Sequence, residues 1–148
     1  MDSGKKILMF EDDYERMKPV KEYLEEKYGC AIVLTAEKNI LERLKTESFD
    51  LLLVDRMIHT QGLDENGEEV ENVHFSGINW RETGIEFLKR LRAGEFYLPG
   101  GTSPDVPAMV VSAVADTPTE KEIGVSIYFE KPFRLEDLSN QVAKLLGG

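Results

Sequence analysis

The sequence predicts a doubly wound α/β fold, a parallel sheet with helices on both faces, and three observations carry that prediction. Short apolar runs recur at Lys6–Phe10, Leu51–Val54 and Ala108–Ser112, a length and continuity that suit central parallel strands covered on both sides. Stretches with apolar residues at spacings of three and four lie between them and read as amphipathic helices. The first two runs also end on acids, Glu11-Asp12-Asp13 and Asp55, and open α/β sheets bind ligands at the carboxyl ends of their strands.

The bulk numbers fit one such domain. The chain has 148 residues, 41% of them hydrophobic and 31% charged, the balance of an ordinary globular protein. No apolar run approaches the roughly 18 residues needed to cross a bilayer, and no signal peptide precedes the first strand, so no membrane partner is expected. The single cysteine, Cys30, excludes an internal disulfide; it reads as a core or strand-edge thiol, and a cytoplasmic setting fits. A net charge of −10 argues against direct nucleic-acid binding, which rests on Lys and Arg neutralising phosphates.

Taken in order, strand one leads to a helix over Tyr14–Tyr28, with Met17, Val20, Leu24 and Tyr28 on one stripe and Gly29 as its stop. Pro19 would break one backbone hydrogen bond inside a helix, so it is expected within the first turn or so. Ala31–Thr35 is strand two, and Glu37–Glu47 is helix two, with Ile40, Leu41 and Leu44 facing in. Strand three is Leu51–Val54, ending at Asp55. The alternation then breaks over residues 56–83, a polar and acidic stretch with a turn signal at Asn66-Gly67. Its acids (Asp64, Glu65, Glu68, Glu69 and Glu71) are expected in solvent. Phe75 and Trp80, costly to leave in water, are expected to pack on the domain. Gly84–Arg92 is helix three, and a Gly/Pro-rich loop leads to strand four, Ala108–Ser112. Glu120–Ile123 has room for little more than one turn between Pro118 and Gly124, so the fourth helix is expected to be shortened. Ser126–Glu130 is strand five, and Leu135–Leu146 the last helix. There are no repeats and no linker, so residues 1–148 are expected to form one domain, with 56–83 inserted as a loop or hairpin.

The strand ends collect Glu11, Asp12, Asp55, Ser112 and Lys131. An all-oxygen acidic set suits a hard cation such as Mg²⁺. A lysine supplies a point charge for a phosphoryl oxygen, and a serine supplies a hydroxyl donor. Carboxylates that become aspartyl-phosphates are known nucleophiles, for which positioning and charge neutralisation are the protein's task. Singly, each residue has a plainer role: Asp12 or Asp13 as a helix cap, Ser112 as a loop hydroxyl, Lys131 as a solvated lysine. Together, at strand ends and in this order, they point to phosphoryl chemistry.

Ile7-Leu8-Met9-Phe10-Glu11-Asp12-Asp13, Leu51-Leu52-Leu53-Val54-Asp55, Val110-Val111-Ser112-Ala113 and Tyr128-Phe129-Glu130-Lys131-Pro132-Phe133 together resemble the receiver domain of two-component response regulators. The resemblance covers nearly the whole chain apart from the stretch after Asp55. It implies a flavodoxin-like five-stranded parallel sheet of order 2-1-3-4-5. It further implies Asp55 as phospho-acceptor and Mg²⁺ held by Glu11, Asp12, Asp55 and the Met57 backbone carbonyl. Ser112 and Lys131 would take the phosphoryl oxygens, and Ser112 with Tyr128 would form a switch pair. The implied partners are a sensor histidine kinase or phosphotransfer protein and a downstream protein reached by conformational change. Such a domain catalyses only its own phosphorylation and dephosphorylation. Glu11 stands for the family's commoner Asp and Ser112 for its commoner Thr, and His59 stands where proline is usual. On this reading His59 is not expected to bind metal. A phosphorylation-independent binding module and a haloacid-dehalogenase-like phosphatase are the competing readings. The full acid–hydroxyl–lysine set argues against the first. The second wants an Asp-x-Asp pair after strand one, and Glu11-Asp12-Asp13 lacks its first Asp. Helix five ends at Leu146, which leaves no room for an effector domain, so output is expected to pass through protein contact.

Overall fold

The computed structural model describes residues 4–112, 124–125, 127–130 and 133–147, with Ser112 and residues 127–130 described by their backbone alone. The elements are β1 (Lys6–Phe10), α1 (Tyr14–Tyr28), β2 (Ala31–Thr35), α2 (Ile40–Thr46), β3 (Leu51–Val54), β4 (Gln61–Leu63), β5 (Glu69–Glu71), a 3₁₀ turn (Trp80–Glu82), α3 (Thr83–Arg92), β6 (Ala108–Ser112), β7 (Ile127–Glu130) and α4 (Leu135–Leu145). The main sheet has the order β2-β1-β3-β6-β7, and its neighbouring strands all run parallel. With the small β4–β5 hairpin set aside, this is the expected 2-1-3-4-5 arrangement. The shortened helix expected at residues 120–123 lies outside the described residues.

Side chains of the central strands alternate between two apolar layers. Leu8, Phe10, Leu52, Val54, Ala108 and Val110 join one core with Ile40 and Leu44 of α2 and Ile85, Phe87 and Leu88 of α3. Ile7, Met9, Leu51, Leu53, Met109 and Val111 join the other, with Met17 and Leu24 of α1 and Leu138 and Val142 of α4. Burial on both faces is why these strands read as unbroken apolar runs. Phe10 and Phe87 stack at 4.2 Å between ring centres, fixing α3 against β1. Cys30 is buried in the second core. Among the described residues no helix is long and apolar enough to cross a membrane.

Two local expectations need correction. Helix α2 begins at Ile40 rather than Glu37, because Glu37 forms an antiparallel bridge to Asn72 and the Lys38 N–H donates to the Glu71 carbonyl at 3.1 Å. Lys38 and Asn39 form a turn ahead of the helix instead, with the Ile40 and Leu41 N–H groups donating to the Glu37 and Lys38 carbonyls at 3.0 and 3.3 Å. Pro19 lies inside α1, beyond its first turn, on an exposed face where the helix accommodates it. Gly29 ends α1 with φ 63°, a left-handed conformation that glycine adopts without strain. The weak strand signals around Asn66-Gly67 do form a hairpin, with Leu63 opposite Glu69, and Gly67 takes φ 79° in its turn.

The inserted segment is built into the domain. Val73 N–H donates to Ala36 O at 2.8 Å and Asn72 N–H to Thr60 O at 2.9 Å, tying both hairpin bases down. Val73, Phe75 and Ile58 are buried in the α2–α3 core, and the Arg90 guanidinium of α3 covers the Phe75 ring at 4.3 Å. The expected inward packing of Phe75 is therefore observed.

At the amino-terminal edge of the sheet, away from the acidic strand ends, Glu47 receives Arg43 Nε at 2.8 Å and Lys6 Nζ at 2.6 Å. Hydrogen bonds from Arg43, then from Lys6, hold its carboxyl at about 2 against an ordinary 4.5. A carboxylate with a lowered folded-state pKa contributes its stability in full above the unfolded value, and loses it as pH falls through the folded value. Glu47→Gln is expected to lower stability at pH 7 by about 1 kcal/mol or less, given the partial exposure of the pair. The gap from the parent should close as pH falls from 4.5 towards 2. Chemical denaturation across that range checks it, and a gap independent of pH would assign the loss to packing rather than charge.

Candidate functional site

The parallel pairing of β1 and β3 brings the acids together. Phe10 lies opposite Val54, and the Asp55 N–H donates to the Phe10 carbonyl at 2.9 Å, so Glu11 and Asp55 leave the sheet side by side. Carboxylate oxygens of Glu11, Asp12 and Asp55 all lie within 4.8 Å of one another. Glu11 is 3% exposed and Asp55 8%, so their mutual repulsion is poorly screened by water.

Local donors take up part of that charge. The Asp13 N–H donates to Glu11 Oε1 at 3.2 Å, and the Met57 N–H donates to Asp55 Oδ1 at 3.0 Å. Asp13 itself caps α1 by accepting the Arg16 N–H. Of the two acids the sequence offers as a helix cap, Asp13 takes the part and Asp12 turns to the cluster. Asp12 Oδ2 accepts the His59 backbone N–H at 2.9 Å and faces His59 Nδ1 at the same distance. A carboxylate only accepts, so the Nδ1 contact requires the proton on that nitrogen.

His59 stacks on Trp80 with ring centres 4.5 Å apart, and the Arg81 guanidinium lies over Trp80 at 4.7 Å. The Ile58 N–H donates to the Trp80 carbonyl at 3.1 Å, and Arg56 forms a forked ion pair with Glu82 at 2.8 and 2.9 Å. The segment after Asp55 is thus laced to the turn that opens α3. Gly84 makes that approach feasible. Its N–H donates to Arg56 O at 2.8 Å, and a Cβ there would come 2.0 Å from the Asp55 carbonyl oxygen.

The cluster opens into a cleft of about 750 Å³, walled by the start of α1 (Tyr14, Lys18) on one side and by His59, Gly62, Leu63 and Trp80 on the other. Tyr14 donates to Thr35 Oγ1 at 3.3 Å, and burial raises the pKa of its phenol. The hairpin acids Glu65, Glu68, Glu69 and Glu71 are exposed, as expected, and Asp64 is half-buried. Asp64 Oδ1 closes the turn by accepting the Asn66 and Glu68 N–H groups at 2.9 Å each, and Asp64 and Glu65 border the cleft. Glu71 pairs with Lys38 at 2.9 Å and His74 at 2.7 Å. The backbone ties at the hairpin base, absent from any local pattern, aim the tip back over α1.

Met57, half-buried, also borders the cleft. Of the remaining expected residues, Ser112 lies opposite Glu130 in the β6–β7 register, at the same edge of the sheet. The side chains of Ser112 and Tyr128, and all of Lys131, lie outside the described residues. Sequence reasoning gave no site role to Gly84 or Tyr14, expected no metal binding by His59 and expected Trp80 only to pack on the domain. A histidine four residues beyond the strand-end acid was the one available signal, and its direction was not legible. Chemically the arrangement offers a hard, all-carboxylate donor set, suited to a divalent cation that keeps some of its water, beside a carboxylate reachable from a cleft.

Gly84→Ala is expected to destabilise the fold by about 1–3 kcal/mol, the usual cost of overpacking, since the Asp55 carbonyl and Arg56 Cα are both in the way. Thermal melts of the two proteins test this, and an unchanged midpoint would mean that α3 is free to shift away from the site.

No protein-family model matches the chain. The transcriptional regulatory protein CrdR of Helicobacter pylori is 29% identical over 143 residues, which are 95% of this chain and 54% of that protein. The chain thus spans about half the length of this curated relative. Among solved structures, the CheY-like response regulator receiver domain protein of Methanospirillum hungatei superposes with a TM-score of 0.69 at 21% identity, covering 98% of this chain and 95% of that one. The receiver domain of a sensor histidine kinase from Pseudomonas aeruginosa, solved with a magnesium ion coordinated in its active-site cleft, gives 0.64 at 21% identity, covering 99% and 100%. The parallel order β2-β1-β3-β6-β7 and these full-length superpositions agree, and the chain has the CheY-like fold of response-regulator receiver domains.

Proposed function

We propose that this chain is a phosphorylation-operated switch, with Asp55 as the residue that accepts the phosphoryl group from a sensor histidine kinase or phosphotransfer protein in the cytoplasm. The observation that carries the reading is the trio of carboxylates at adjoining strand ends, with oxygens within 4.8 Å, opening into a cleft. In the transfer, an Asp55 carboxylate oxygen attacks the phosphorus of a phosphohistidine. The new O–P bond forms as the N–P bond breaks, and the leaving nitrogen keeps the electron pair and takes a proton. Little covalent work falls to the protein; orientation and charge neutralisation are what it contributes.

Glu11, Asp12, Asp55 and the Met57 carbonyl are the groups assigned to hold Mg²⁺. When bound, the ion neutralises charge on the carboxylates and on the phosphoryl oxygens. The Met57 N–H on Asp55 Oδ1 (3.0 Å) orients the acceptor carboxylate. Ser112 and Lys131 are assigned to the phosphoryl oxygens, and Ser112 with Tyr128 to relaying the change to a downstream protein. The half-length match to a longer regulator makes the final output a question of what this domain contacts. It acts on no substrate beyond its own phosphoryl group.

Incubation with acetyl phosphate and Mg²⁺ is expected to add a single phosphate to the intact mass of the wild-type protein and none to Asp55→Asn. Phosphate retained by that variant would overturn the assignment. A wild-type protein that takes none under these conditions would favour a phosphorylation-independent binding module.

A further inference from the structure

We propose that His59 is a positioning residue for the metal site: its imidazole Nδ1–H and its backbone N–H together hold Asp12 Oδ2, and so aim the rest of that carboxylate at the cation. The inference rests on the assignment of Asp12 as a metal ligand and goes beyond it, by giving the inserted segment a part in the site's own chemistry.

The Asp12 side chain is 11% exposed whereas that of His59 is 65% exposed. The contact therefore reaches inward from the mouth of the cleft to a largely covered carboxylate. Two donors at 2.9 Å engage the same oxygen, Oδ2, which fixes the rotation of the carboxylate about its own axis. Asp12 also offers a carboxylate oxygen to the cluster that it shares with Glu11 and Asp55. Outer donors of this kind orient a metal-binding carboxylate before the ion arrives, and their loss typically costs 10–100-fold in affinity.

The imidazole is itself held. Its backbone carbonyl accepts Asn72 Nδ2 at 3.0 Å, and Asn72 is buried at the far base of the hairpin. Its ring lies on Trp80 at 4.5 Å and 22°. Backbone and ring are thus fixed from separate places, and little side-chain entropy is lost when the hydrogen bond forms. A proline at this position would have neither an N–H nor a ring donor.

Two substitutions separate the hydrogen bond from the stacking. His59→Phe keeps a ring against Trp80 and removes the side-chain donor. His59→Asn places an amide N–H near the position of Nδ1 and removes the ring. Mg²⁺ and, separately, Mn²⁺ are titrated calorimetrically into the full chain and each variant, with thermal melts as the folding control; His59→Leu replaces the phenylalanine variant should that one not fold. The dissociation constant is expected to rise about tenfold in His59→Phe, the lower end of such losses because the backbone donor remains, and to stay near the wild-type value in His59→Asn. Wild-type affinity in His59→Phe, or tighter binding, overturns the proposal alone and would mean that His59 is irrelevant to the cation or competes with it. Equal weakening in both variants would assign the effect to the ring stack and also overturn it. A wild-type chain that binds neither ion overturns the metal reading, and this proposal with it.

Discussion

Three like charges gathered at the end of two buried strands are the constraint to which the rest of the molecule answers. Glu11, Asp12 and Asp55 stand where the sheet forces them to stand, since the β1–β3 register leaves neither strand freedom to slide. A one-residue slip would turn every apolar side chain of the moved strand into the opposite core. The repulsion is therefore borne rather than relieved by movement. It is moderated by short-range donors: the Asp13 N–H on Glu11, the Met57 N–H on Asp55 and two groups of His59 on Asp12. Each donor follows its acid closely in the chain except His59, which reaches a different strand.

That exception makes the inserted segment part of the site. The hairpin is fastened at its base through Ala36, Glu37 and Asn72, contributes Val73 and Phe75 to the core, and delivers Gly62 and Leu63 to the wall of the cleft. It has reshaped its surroundings in return, shortening α2 by taking Glu37 and Lys38 as backbone partners. Anything that approaches Asp55 through the cleft meets the hairpin on one side and α1 on the other. Selectivity of approach then depends on a surface with exposed Leu63 and the border acids Asp64 and Glu65.

What the sequence made legible, and what it hid, divides along a physical line. β1, β3 and β6 announce themselves because both their faces are buried, and the acids of the site because they sit at strand ends, where position in the chain implies position in space. Helix α1 was readable from its stripe and its Gly29 stop. The late start of α2 was not, because its cause is a bridge to Asn72, a residue with no local relation to Glu37. The contact of His59 with Asp12 was hidden for the same reason: whether an exposed histidine reaches that carboxylate depends on the path of the chain after Asp55, and no periodic pattern encodes that path. Gly84 looked like one more residue near a helix start. Its need became visible only once α3 was seen pressed against the Asp55 carbonyl.

The Trp80–His59 stack has an optical consequence. Trp80 is the single tryptophan of the chain, so the intrinsic near-ultraviolet emission of the protein comes chiefly from one indole. That indole rests on an imidazole whose nitrogen touches the acidic cluster. Emission from an indole is sensitive to the charge and the motion of a ring lying against it. The protein therefore carries its own unlabelled chromophore one residue removed from Asp12, and events at the strand ends can be followed in solution, in real time, without introducing a dye.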